Sequence, residues 1–198
     1  MRFYFYLLFG ITLLVYIFQY CFSKILFKDV TKDKLVMQYV NSYCDIAIKE
    51  MHQNGIPASI KLSQAMLESR FGQSELSTKA NNHFGIKCSK NWEGIRYSVV
   101  TNEFDIKKKK MIPRVACFRV FESAESCFHA HSEFIKSGKR YQTLFEKNLM
   151  DYKKWAFGLQ KLGYATDPEY GRKLIHIIEK YKLYNLDNIL PLPLFLIF

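Results

Sequence analysis

Apolar residues recur at helical spacing through most of the chain. Over 34–53, Val36, Val40, Tyr43, Ala47 and Met51 fall on one stripe, and Gly55 closes it before Ile56 and Pro57. Ile60, Leu62, Ala65 and Met66 predict a second, short helix over 56–71. Pro57 has no N–H to leave unpaired and suits a first helical position, while Gly72 offers a left-handed C′ residue. Ser74 caps a third short helix over 74–80. The period then drops to two. Tyr97, Val99, Thr101 and Glu103, then Val115, Cys117, Arg119 and Phe121, alternate as strands, with 105–110 between them as a hairpin tip. Helical spacing returns at Ser123, an N-cap, and runs to Ser137 with Gly138 as its stop. Trp155, Leu159 and Leu162 define a helix over 151–162 that Gly163 ends. Leu174, Ile175, Ile178 and Tyr181 define the last one, over 168–183, with Asp167 as cap and Pro168 opening it. The pattern is α+β and predominantly helical, with a small β-hairpin lobe.

The two ends stand outside this pattern. Arg2 precedes an almost uncharged apolar run over 3–22, and about 20 such residues are enough to cross a bilayer. No A-x-A-like cleavage site follows, so 1–28 is expected to be an N-terminal signal anchor, or else a signal peptide. Arg2 stands against Lys24, Lys28, Lys32 and Lys34, so positive-inside counting does not itself send the rest outward. The folded domain is expected over 29–187. The tail, 188–198, is apolar, holds two of the prolines and is too short to span a membrane.

The chemistry concentrates between Gly55 and Gly94. Glu68, in the run Met66-Leu67-Glu68-Ser69-Arg70-Phe71-Gly72, sits in the last turn of a mostly apolar helix, and Gln64 shares its face and is expected to bind substrate beside it. The negative end of the helix dipole and partial burial both disfavour its charged form. A raised pKa is what a general acid working near neutral pH requires. Asn81, Asn82, Phe84 and Trp92 follow closely, and with Phe118 they offer the amides and aromatic faces of a sugar-binding wall. Glu103, with Asp105 in reserve, is a second acidic residue on a different element, and paired carboxylates are the usual equipment of glycoside hydrolysis.

Other clusters carry less. His129 and His131 tempt a metal assignment, but residues two apart on a helix point roughly 200° from each other, so no metal and no cofactor is expected. Of five cysteines, Cys21 lies in the apolar run. The remaining four have no metal-type spacing, and sequence cannot choose among their pairings. Buried thiols are expected, with Cys88 and Cys117 the pair to test.

Four blocks together, 65–74 (AMLESRFGQS), 80–87 (ANNHFGIK), 118–123 (FRVFES) and 163–170 (GYATDPEY), resemble the glucosaminidases of bacterial cell-wall autolysins, glycoside hydrolase family seventy-three. That family includes the flagellar peptidoglycan hydrolase domain. The resemblance implies a lysozyme-like fold and cleavage of the glycan strand after N-acetylglucosamine. It also implies Glu68 as general acid, Glu103 as the acid of the β-lobe, and Tyr164 facing the cleft to orient the substrate acetamido group. An exported protein facing the periplasm or cell wall, with peptidoglycan as partner, follows from it. The net charge of +11 suits carboxylate-bearing peptides as well as anionic lipid or nucleic acid. No Arg-rich patch interleaved with aromatics points to nucleic acid. Two rivals remain at this point: a muramidase or lytic transglycosylase on the same fold, and a non-catalytic wall-binding module.

Overall fold

The computed structural model describes residues 34–105, 110–146 and 150–191. In chain order these form α1 (Lys34–Asn54), α2 (Ala58–Ser69), α3 (Glu75–Ala80), the strands β1 (Arg96–Asp105) and β2 (Lys110–Arg119), α4 (Ala124–Ser137), α5 (Tyr152–Lys161) and α6 (Tyr170–Lys180). Two 3₁₀ turns, Lys139–Leu144 and Leu183–Asn188, complete the set. The α+β, predominantly helical class read from the periodicity is what forms.

The architecture is organised by α2. Every residue from 58 to 66 is buried, so the helix is enclosed on all sides by α1, α5, α6 and the final 3₁₀ turn. Its apolar residues Ile60, Leu62, Ala65 and Met66 supply the core that their spacing predicts. Its polar residues would be costly there without partners, and each one has found one. The Ser59 N–H and hydroxyl donate to the two carboxylate oxygens of Asp187, at 2.8 and 2.6 Å. Lys61 Nζ lies 2.8 Å from His131 Nδ1 on α4. The Ser63 hydroxyl turns back to the Ile60 carbonyl, and the Gln64 amide donates to Tyr170 Oη at 3.1 Å on α6. The polar residues of the central helix therefore fix which neighbour docks where.

Asp187 thus caps α2 from the far end of the chain. The cap orders a helix start whose own N-cap residue, Pro57, has no side-chain hydrogen bond to offer. Asp187→Ala is expected to destabilise the domain by about 1 kcal/mol, the usual cost of a lost cap, read as a lower urea midpoint at unchanged slope. A loss within error would mean that solvent satisfies the Ser59 N–H equally well.

The end of α2 differs from expectation. The helix stops at Ser69, and three successive residues, Arg70, Phe71 and Gly72, adopt left-handed φ values of 51°, 57° and 78°. Gly72 is therefore the last residue of a left-handed turn and not the simple helix stop. A Cβ at Gly72 would lie 2.9 Å from the Tyr39 ring, so packing as well as φ requires glycine here. The Ser69 hydroxyl holds the turn, accepting from Gly72 N–H at 2.8 Å and donating to the Ala65 carbonyl at 2.6 Å. Because the chain reverses immediately, Glu68 is left on the rim of an otherwise buried helix.

The hairpin pairs β1 and β2 antiparallel in a register that sets Val100 against Val115. Residues 86–88 lie alongside β2 as an added short strand: Cys88 N–H bonds to the Cys117 carbonyl and Arg119 N–H to the Ile86 carbonyl. Cys88 and Cys117 form a disulfide across this junction. The expectation of four buried thiols therefore holds only for Cys44 and Cys127. Burial pushes the Cys127 thiol up to about 12, which leaves it unreactive.

A second correction concerns Asp167. It does not cap the last helix, which begins three residues later at Tyr170. Its carboxylate instead accepts from Glu169 N–H at 2.9 Å and from Lys173 Nζ at 2.5 Å, closing the turn that leads in. The apolar run at 1–22, the hairpin tip and the tail from 192 onward lie outside the described residues, as do the side chains of Glu103 and Asp105. Among the described residues, no helix is long and apolar enough to cross a membrane.

Candidate active site

Between the helical body and the hairpin lobe lies a cleft of ≈ 680 Å³, and Glu68, Phe84 and Tyr164 all line it. Three elements bring them together. The reversal after α2 leaves Glu68 at the rim. Phe84 follows α3, on the loop that leads to the added strand. Tyr164 enters through the end of α5, where Gly163 at φ 71° lets Tyr164 N–H bond to the Leu159 carbonyl and Gly163 N–H to the Gln160 carbonyl.

Glu68 faces solvent from the cleft side, but the protein packed behind it excludes much of its water. That burial pushes its carboxyl above the ordinary value, and a hydrogen bond from Tyr170 partly opposes the shift. The Tyr170 hydroxyl donates to Glu68 Oε1 at 3.1 Å while accepting from Gln64. Gln64 does share a face with Glu68, as its spacing predicts, but it is fully buried and reaches Glu68 only through Tyr170. It supports the Glu68 carboxyl from behind and does not face the cleft.

Tyr164 stacks on Tyr170 with ring centroids 5.3 Å apart. Burial pushes both phenols well above their ordinary value, so both remain hydroxyls at any working pH. On its other side Tyr164 Oη lies 2.8 Å from His131 Nε2. His131 itself is stacked almost parallel on Phe84, at 3.9 Å and 7°.

Four residues expected to contact sugar are not among those that line this cleft. Asn82 is buried, donating to the Ile86 and Arg119 carbonyls and accepting from Ile86 N–H. It therefore ties the Phe84 loop to β2. Asn81 ends α3 in a left-handed conformation, and its amide donates to the Phe121 and Glu122 carbonyls. Trp92 donates to the Ile95 carbonyl, and the Arg119 guanidinium covers its ring at 4.3 Å. Phe118, half-buried on β2 and bridged to Lys87, is not among the residues that line the cleft. Amide and aromatic residues are equally suited to walls and to ligands, so composition could not separate the two uses.

Conversely, Tyr170, His131 and Lys61 belong to the site and were not assigned by sequence. Tyr170 lies in a block already noted. For His131 the sequence raises only a metal assignment, which helix geometry sets aside. Lys61 carried a signal, since a lysine among buried helical positions needs a partner. Lys87 and Arg119 also line the cleft and make it cationic.

A helical body and a small hairpin lobe facing each other across a cleft, with a glutamic acid at its rim, define the class: this is a lysozyme-like glycoside hydrolase fold. The family model described as mannosyl-glycoprotein endo-beta-N-acetylglucosaminidase matches residues 44–183, and the chain belongs to this glucosaminidase family. It is 32% identical to the exo-glucosaminidase LytG of Bacillus subtilis over 169 residues, 83% of this chain and 57% of LytG. It is 29% identical to the peptidoglycan hydrolase FlgJ of Pseudomonas aeruginosa, over 75% of this chain and 37% of FlgJ. The chain thus spans about a third to somewhat over half of these relatives. The catalytic domain of the autolysin Auto from Listeria monocytogenes superposes with a TM-score of 0.70 at 27% identity, covering 79% of this chain and 90% of that domain.

Proposed function

We propose that the protein is a peptidoglycan hydrolase that cuts the β-1,4 bond after N-acetylglucosamine, with Glu68 as general acid. The observation that carries this is the Glu68 carboxyl at the rim of the cleft, its pKa raised by the protein packed behind it and backed by two neutral tyrosines. Glu68 gives its proton to the leaving glycosidic oxygen as the C1–O bond breaks. The Tyr164 hydroxyl beside it suits the route in which the substrate acetamido oxygen attacks C1, to be displaced later by water. Glu103, on β1, is the residue for the other route, activation of water in direct displacement. Phe84 offers an aromatic edge for the sugar, and Lys87 and Arg119 offer positive charge to the lactyl and peptide carboxylates that distinguish this glycan. The folded unit is 29–187, acting outside the cytoplasmic membrane, with 1–28 as its export signal or anchor.

The full chain, purified in detergent, is to be incubated with isolated peptidoglycan and the released fragments reduced with borohydride for mass spectrometry. Reduced N-acetylglucosamine ends are expected. Muramic or anhydro-muramic ends would reassign the enzyme as a muramidase or lytic transglycosylase. A folded protein that binds sacculi and releases nothing would be a wall-binding module.

The acid must be protonated to act, so kcat/KM is expected to hold at low pH and to fall as pH rises through the elevated Glu68 pKa. Tyr170→Phe removes a donor that favours the carboxylate. In this variant the alkaline limb should therefore move to higher pH. An unmoved limb would mean that the Tyr170 hydrogen bond does not tune Glu68.

A further inference from the structure

We propose that Lys61 and His131 are positioning residues: Lys61 dictates which ring nitrogen of His131 carries the proton, and His131 thereby turns the Tyr164 hydroxyl hydrogen into the cleft. This rests on the reading above only in taking Tyr164 to face the substrate.

Lys61 Nζ, His131 and Tyr164 Oη form one line, 2.8 Å on each side of the imidazole. Lys61 is 0% exposed and His131 1%. The Phe84 ring, stacked on the imidazole, prevents it from rotating out of that line. Burial, reinforced by the Lys61 charge, holds His131 well below its ordinary pKa, so the ring is neutral and has a single N–H. Below about pH 7 Lys61 is an ammonium, which has three donors and no acceptor. His131 Nδ1 must then accept from Lys61, and the ring proton resides on Nε2. That N–H donates to Tyr164 Oη and occupies the phenol as acceptor. The phenol keeps its own hydrogen, which has to point elsewhere; its remaining neighbours are the Tyr170 hydroxyl, which already accepts from Gln64, and the cleft shared with Glu68, and the cleft is the open side. An acetamido carbonyl bound there would receive it.

The arrangement is costly, which is the reason to assign it a purpose. Burial pulls the Lys61 ammonium down to about 7, opposed by the Glu50 carboxyl on α1 and the Cys127 thiol on α4. An apolar residue of similar length would fill the same space without burying an amino group. Without Lys61, Nδ1 is free to take the proton. Nε2 then accepts from Tyr164, and the phenol hydrogen is withdrawn from the cleft.

The test reads the tautomer directly. The full chain, purified in detergent with ¹⁵N-labelled histidine, is to be examined by NMR at pH 6, below the Lys61 pKa. His131 is expected as the Nε2–H tautomer in the wild type, and as Nδ1–H or a mixture in Lys61→Met. On soluble glycan fragments, Lys61→Met should lose about tenfold in kcat, the scale of one hydrogen bond in the transition state, with KM little changed. In a Tyr164→Phe background the same substitution should cost nothing further, because its effect passes through the missing hydroxyl. An Nδ1–H tautomer in the wild type would overturn the proposal, and this needs no variant to fold. Undiminished kcat in Lys61→Met, or losses that simply add in the double variant, would overturn it as well. A wild type inactive on every glycan would instead remove the proposed function, while the tautomer would still decide the His131 arrangement.

Discussion

Glu68→Gln is expected to lower glycan cleavage by about 10²–10⁴-fold, the range general acid catalysis supplies, while binding to sacculi and the thermal melting temperature stay close to wild type. The amide keeps the shape of the carboxyl and can still accept from Tyr170, so the hydrogen bond at 3.1 Å survives. What it cannot do is release a proton to the glycosidic oxygen. Glu68 is at the rim of the cleft and outside the core, so its replacement leaves α2 packed as before. Activity within tenfold of wild type would take the acid role from Glu68 and pass it to Glu103. Loss of binding together with activity would mean that the carboxylate holds substrate and does not protonate it.

Removing the disulfide should have the largest effect on stability. Cys88 and Cys117 are 29 residues apart, and opening a loop of that size is expected to cost about 3–4 kcal/mol through the entropy returned to the unfolded chain. The paired variant Cys88→Ser, Cys117→Ser should show this as a lower denaturation midpoint, and the wild type under reductant should match it. Activity should fall as well. The bond clamps residues 86–88 onto β2, and that junction carries Ile86, Lys87 and Arg119 into the cleft wall. If reductant left both stability and activity unchanged, the backbone bonds of Cys88 and Arg119 would be sufficient to hold the lobe.

The helices and the hairpin were legible because hydrophobic periodicity is a local property. The stripe from Val36 to Met51 became α1, and Ser123 became the cap of α4, its own N–H donating in return to the Ser126 hydroxyl. Glu68 was legible for a related reason: an acidic residue in the last turn of an apolar helix conflicts with both the dipole and burial, and such conflicts gather at functional sites. Boundaries were less secure. Nothing local in Arg70 or Phe71 announces a left-handed conformation; the turn is held by the Ser69 hydroxyl and by Tyr39 pressing on Gly72.

Side-chain roles within the site divided along the same line. Element type, order and the acid depend on neighbours within a few residues, so the one-dimensional pattern carries them. The partners of Gln64, Lys61 and Asp187 lie 106, 70 and 128 residues away, and one of the partners of Asn82, the Arg119 carbonyl, lies 37 away. Most buried donors and acceptors are satisfied by whatever the fold brings within 3 Å or so, and for these residues that choice was made only when α2 was enclosed. Tertiary packing thus turned Gln64 toward Tyr170, Asn82 toward the loop backbone and Lys61 toward His131. It also left the Glu68 carboxyl, four residues beyond Gln64 on the same helix, at the open edge of the cleft.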